Sequence, residues 1–163
     1  MEVDPPWNCD ACGHPILSVE DGWVEWLNGM TEEKMEGSLH DLRLVHHRNS
    51  SPRADTENAC YHDEDRWYAA KGYTVSDIQL RYYVGPDGLM NLLAWLADKR
   101  FAEPDQVLEM IKRLHVPQYE EARFSLDAAR ADGAFEIRST PGYHRQEELA
   151  AVLAWVREQE DNR

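Results

Sequence analysis

The chain has 163 residues and a formal net charge of −14, with 42% hydrophobic and 29% charged residues. No apolar run reaches the 18 residues of a membrane-spanning helix, and the odd count of three cysteines argues against a disulfide framework. A surface this acidic repels nucleic-acid phosphates unless a local basic patch overrides it.

The acidic N-terminus, "MEVDPPW", lacks the apolar core of a secretory signal, so a cytoplasmic protein with reduced thiols is expected. From about residue 7 to 84 the sequence is strand-like. "ILSV", "GWVEWL" and "LRLVHH" are short runs rich in β-branched and aromatic residues. "EDG" between the first two reads as a hairpin turn with Gly22 at positive φ. "NGMTEEKMEGS" and "RNSSPRADTEN" read as polar loops. "HDEDRWYAAKG" reads as a short helix, with Asp63, Glu64 and Asp65 in the first turn and Gly72 as the stop.

From residue 85 the pattern is helical. "GPDGLMNLLAWLADKR" opens with Pro86 near its start, and its wide apolar stripe predicts the most buried helix. "EPDQVLEMIKRLHV" aligns residues 107, 108, 111 and 114. "QYEEARFSLDAARADG" aligns 119, 122, 126 and 129, and the last helix aligns 149, 152, 153 and 156. The expected organisation is therefore α+β. A small zinc-stapled β subdomain, residues 1–84, packs on a bundle of about four helices, residues 85–163, with Trp23, Trp26 and Trp67 at the seam.

"CDACG", residues 9–13, has the form of a zinc knuckle. The two-residue spacer lets Cys9 and Cys12 face one point, and Gly13 tolerates the tight exit. Structural zinc takes four ligands, and Cys60 is the only other cysteine. His46, His47, His62 and Asp63 are the candidates for the fourth. Strand alternation places His46 with Leu42 and Leu44 toward the core, which favours His47. The expected site is thus Zn2+ on Cys9, Cys12, His47 and Cys60. A redox pair lacks a βαβ context, and the remaining alternative is three ordinary buried thiols. His14, His40, His115 and His144 read as surface or capping residues.

Knuckle, strands, then a helix whose start carries a ligand: over residues 9–71 this order resembles treble-clef zinc modules. That resemblance implies ligands at the helix start, where Cys60 lies, and leaves the fourth cysteine of the family missing. "LVHHRNSSP" is also similar to the start of the His-Me or HNH nuclease finger, built on the same treble clef. That likeness implies His46 as general base, Asn58 as the orienting asparagine and His62 as metal ligand. The spacing of Asn58 and His62 is tighter than in the family, and the acids that follow suit phosphate poorly.

Residues 1–37 hold nine acids and one base, Lys34. The expected role is a non-enzymatic, acidic zinc-binding interaction protein. Its partner is expected to be a basic protein surface, that of a nucleic-acid-binding protein included, rather than nucleic acid or membrane. A His-Me metal nuclease is the alternative.

Overall fold

The computed structural model describes residues 5–29, 36–53, 59–61 and 72–163. Within them the chain is a mixed α+β protein with five helices and small antiparallel sheets. The expected short helix after Cys60, Trp67 within it, Asn58, His62 and Asp63 all lie outside the described residues.

Strands β1 (Trp7–Asn8) and β2 (Pro15–Ile16) pair across the cysteine turn. "ILSV" is therefore not a full strand. It ends in a 3-10 turn, Val19–Asp21, and "EDG" is no hairpin. Gly22 is extended, at φ −121, and opens strand β3 (Gly22–Gly29). Glycine is needed there for closeness. A Cβ at Gly22 would meet Leu80 Cδ2 at 2.9 Å and Ile16 Cγ2 at 3.2 Å.

β3 is the centre of a three-stranded antiparallel sheet, between β4 (Leu39–His46) and β5 (Tyr73–Gln79). Gly22 faces His46 and Trp23 faces Val45, with a register irregularity between Glu25 and Leu27. The outer edge of β4 is closed by other parts of the chain. Leu39 N donates to Arg100 O, Ala102 N to Leu39 O, and Leu42 N to Gln106 Oε1. Near its end, Leu44 N donates to Asp10 Oδ2. These bonds occupy edge groups of β4 that an uncovered strand would offer to another chain.

Two helices complete this part of the molecule, α1 (Gly85–Ala97) and α2 (Pro104–His115). One core runs from Trp7 and Ile16 through Val24, Leu44, Leu80 and Leu92 to Val107, Met110 and Leu114. The sequence changes texture at residue 85, but the compact units are Glu2–His115 and Val116–Arg163, because α1 and α2 close over the sheet. Trp26 meets Trp95 of α1 edge to face, at 5.0 Å between centroids. Trp23 instead faces His47 and Tyr61. Only Gly88 and Leu92 of α1 are buried, so the widest apolar stripe is not the most buried helix.

The second unit holds α3 (Tyr119–Ala122), α4 (Leu126–Ala131) and α5 (Gln146–Asp161). The single helix expected over 118–133 is broken between Ala122 and Leu126. Phe124 there is exposed, under the Arg123 guanidinium at 3.9 Å. Tyr119, Ala122, Ala129, Leu149 and Val152 form the core, close to the periodic positions read from the sequence. Glu148 organises the start of α5. Its carboxylate accepts from Arg138 N at 2.8 Å, Ser139 Oγ at 2.6 Å and Arg145 N at 2.9 Å. These bonds hold its pKa down at about 2, the Ser139 hydroxyl contributing most.

Candidate metal centre

The knuckle is built by local hydrogen bonds. Cys9 N donates to His14 O at 3.0 Å, and Gly13 N to Cys9 O at 2.9 Å, with Gly13 at φ 73. A left-handed residue at that point turns the chain back, which glycine does at little steric cost. Asp10 N donates to Leu44 O at 2.8 Å, so the knuckle is laid along the end of β4. Cys60 arrives from the far side. Its backbone carbonyl accepts from Arg43 NH2 at 3.3 Å, and Arg43 is itself paired with the fully buried Glu25.

Cys9, Cys12, His46 and Cys60 converge, with one ligand atom from each and all four atoms within 4.8 Å of one another. Cys12 Sγ lies 3.5 Å and Cys60 Sγ 3.9 Å from His46 Nδ1. Zinc–sulfur bonds of about 2.3 Å and zinc–nitrogen bonds of about 2.0–2.1 Å on a tetrahedron put sulfur and nitrogen about 3.6 Å apart. The donor set and its spacing therefore fit one tetrahedral ion.

The structure thus brings together the three expected cysteines with His46 instead of His47. His46 lies on the core side with Leu44, as strand alternation predicts, and is 5% exposed. Core face and metal cluster coincide there. The knuckle packs on that same face, so the inward histidine is the one that reaches the thiols. His47 is turned the other way. Its Nδ1 accepts from Asn49 N at 3.0 Å, and its Nε2 meets Ser50 Oγ at 3.1 Å. Ser50 in turn donates to Asp21 Oδ1, and Ser18 to Asp21 Oδ2, which lowers the pKa of Asp21. That cluster fastens a turn.

The surroundings of the four residues suit a cation. His46 Nε2 lies 3.2 Å from Pro15 O, a pure acceptor, so Nε2 carries the proton and the Nδ1 lone pair faces the sulfurs. Ser51, 7% exposed, does the same for Cys60. Its oxygen accepts from Cys60 N and Arg53 N, which directs its own proton onto Cys60 Sγ at 3.1 Å. Without a cation, burial pushes the Cys60 thiol up to about 12. The Ser51 bond opposes that rise, and the neighbouring Cys9 and Cys12 add to it. A bound divalent ion reverses this order and deprotonates its thiol ligands.

A further layer ties the knuckle to α2. Arg113, 3% exposed, donates from NH1 to Asp10 Oδ1 at 2.9 Å and Oδ2 at 2.8 Å. Its NH2 donates to Asn8 O at 2.7 Å. Asp10, the first spacer residue of the knuckle, thereby bridges β4 and α2. Neither Arg113 nor Ser51 was legible as part of the site. Arg113 lies in a charged stretch, "IKRLH", and only its depth in the core distinguishes it from its neighbours.

No family model matches the chain. No curated protein and no solved structure matches it either. The chemistry of the centre therefore rests on its own geometry.

Of the other histidines, His14 is exposed. His115, expected at the surface or in a cap, is half-buried, its Nε2 donating to Tyr83 O at 2.8 Å. Burial lowers its pKa, against the pull of that bond. His144 lies 3.4 Å from Glu148 Oε2, beside the start of α5. No described helix is long and apolar enough to cross a membrane.

Proposed function

We propose that this chain is a non-enzymatic interaction protein. Its zinc is structural, held by Cys9, Cys12, His46 and Cys60, and its acidic surface serves a basic protein partner. The observation that carries the reading is the commitment of His46. It is buried, its Nε2 is bonded to Pro15 O, and its Nδ1 faces two thiols. Catalytic zinc keeps an open position, whereas a Cys3His set closes the tetrahedron. A general base needs a lone pair within reach of its proton, and His46 spends its own on the metal. The order of knuckle, strands and Cys60 supports a treble-clef-like layout.

The partner is argued from charge. Nine acids stand against one base in residues 1–37, and the whole chain carries −14. Such a field speeds the encounter with a basic surface, including that of a protein which itself binds nucleic acid. Reduced thiols in the ligand set agree with a cytoplasmic setting.

Two measurements test this. Protein prepared without added metal should carry about one zinc per chain by elemental analysis; a folded, zinc-free sample defeats the metal reading. Partners captured from the source cell should be basic. Lysine replacements at Glu32, Glu33 and Glu36 should slow association by about tenfold at low salt without unfolding the chain. Plasmid or RNA cleavage with magnesium that disappears in His46→Ala while the variant keeps its zinc and its circular dichroism would replace the reading with the nuclease one.

A further inference from the structure

The first unit also contains a cleft of about 610 Å3 whose lining shares no residue with the metal centre. Small-molecule sites run from about 300 to 1,000 Å3, mostly apolar with a few polar groups. The walls here include Trp26, Tyr82, Tyr83 and Trp95, with Asp98 and Arg100 among the polar groups.

The aromatic wall is organised before any ligand arrives. Trp95 sits 5.0 Å from both the Trp26 and the Tyr83 ring centroids, and 5.2 Å from Phe101 behind it. Trp26 Nε1 is anchored on Asn28 Oδ1 at 3.2 Å. Tyr82 stands at the rim, 53% exposed. Rings that hold one another leave little side-chain entropy to lose when a flat guest stacks among them.

The polar part of the lining is unfinished. Arg100 Nε is buried and has no hydrogen-bond partner among the described residues. Among those residues Arg100 also forms no ion pair, although Asp98 lines the same cleft and the chain has far more acids than bases. An unmet donor on a charged group is costly, and Arg100 as a whole is half-buried and lines the cleft, so a guest acceptor can meet the part of its guanidinium that faces the opening. The matching group is an acceptor that enters with the guest. Guanidinium is shaped for carboxylate and phosphate, which it takes with two parallel bonds.

We infer that this cleft binds a flat aromatic anion, its ring among the tryptophan and tyrosine side chains and its carboxylate or phosphate on Arg100. The net charge of the protein repels anions at long range, so retention of one has to come from these local contacts.

Calorimetry and ligand-observed NMR with three probes of one ring size test the inference: 1-naphthoate, 1-naphthyl phosphate and the neutral 1-naphthamide. At least one acid should bind about tenfold or more tightly than the amide, the scale of one hydrogen bond to a charged group. The tighter of the two acids tells a carboxylate guest from a phosphate one. Arg100→Gln should erase the preference for acid over amide. Ala94→Leu, which fills the cleft from an exposed helical position, should abolish binding of all three. Equal binding of acid and amide overturns the inference, as does acid binding unchanged in Arg100→Gln. No binding of any probe at about 5 mM overturns it too. Should either variant lose its near-UV circular dichroism, the acid-against-amide comparison on the unaltered protein decides by itself.

Discussion

Removing the metal should dismantle the first unit and spare the second. Structural zinc sites contribute about 10–16 kcal/mol of apparent binding free energy, as much as the whole net stability of a domain, about 5–15 kcal/mol. The damage then spreads along identifiable bonds. Once Cys9 and Cys12 part, Asp10 moves away from Arg113, which is left charged and 3% exposed within the core. Breaking a buried pair from one side costs about 3–5 kcal/mol, enough to free α2, and α1 with it. Those two helices have 13 and 12 residues, and α3, α4 and α5 have 4, 6 and 16. Ellipticity at 222 nm should therefore fall by about half after a strong chelator, and return when zinc is restored. Near-UV signals of Trp7, Trp23, Trp26 and Trp95 should collapse while that of Trp155 persists. Loss of less than about a tenth would show that the knuckle opens without disturbing α2. Complete loss would show that the two units unfold as one.

His46→Ala should lower zinc affinity by about 100-fold or more, since it removes a ligand. His47→Ala should leave zinc affinity unchanged and alter stability by less than about 1 kcal/mol, seen in competition with a chromophoric chelator and in urea melts. Arg113→Met should destabilise the first unit by about 1–2 kcal/mol, through loss of its bonds to Asn8 O and to the solvated Asp10 carboxylate, and should speed zinc loss to a chelator at fixed temperature. Glu148→Gln should lower the stability of the second unit by about 1–2 kcal/mol at pH 7. The folded pKa of Glu148, about 2, lies below its ordinary 4.5, so its contribution is complete above pH 4.5 and fades as pH falls toward 2. Thermal melts of the variant and the parent should thus converge in acid; a constant gap at all pH values contradicts the assignment.

What was legible in the sequence was what local spacing determines. The Cys9–Cys12 turn needs only a two-residue spacer and Gly13, and the periodic faces of α2 and α5 need only a 3.6-residue repeat. What was hidden depended on neighbours remote in the chain. His46 and His47 differ by one position on β4, and only the packing of the knuckle on one side decides between them. α1 has the highest share of apolar residues of the three long helices, yet Met90 is 64% and Leu93 42% exposed, since one side of α1 turns away from the sheet. Gly22 suggests a turn in the sequence, but its missing Cβ is what counts, because Ile16 and Leu80 pack against it. In the second unit the helix break around Phe124 has no glycine or proline to announce it.

The bond between Asp10 and Arg113 spans 103 positions of sequence, and that interval has a meaning in time. During synthesis all four ligands have emerged once residue 60 is out, and Arg113 follows about 50 residues later, a delay of about 3 to 10 s at ordinary elongation rates. In that interval the nascent chain can take up zinc, but nothing from α2 yet holds the knuckle shut. If the knuckle binds its ion in that interval, the ion is held by its four ligands alone, and the clasp of Arg113 on Asp10 is added only when α2 docks.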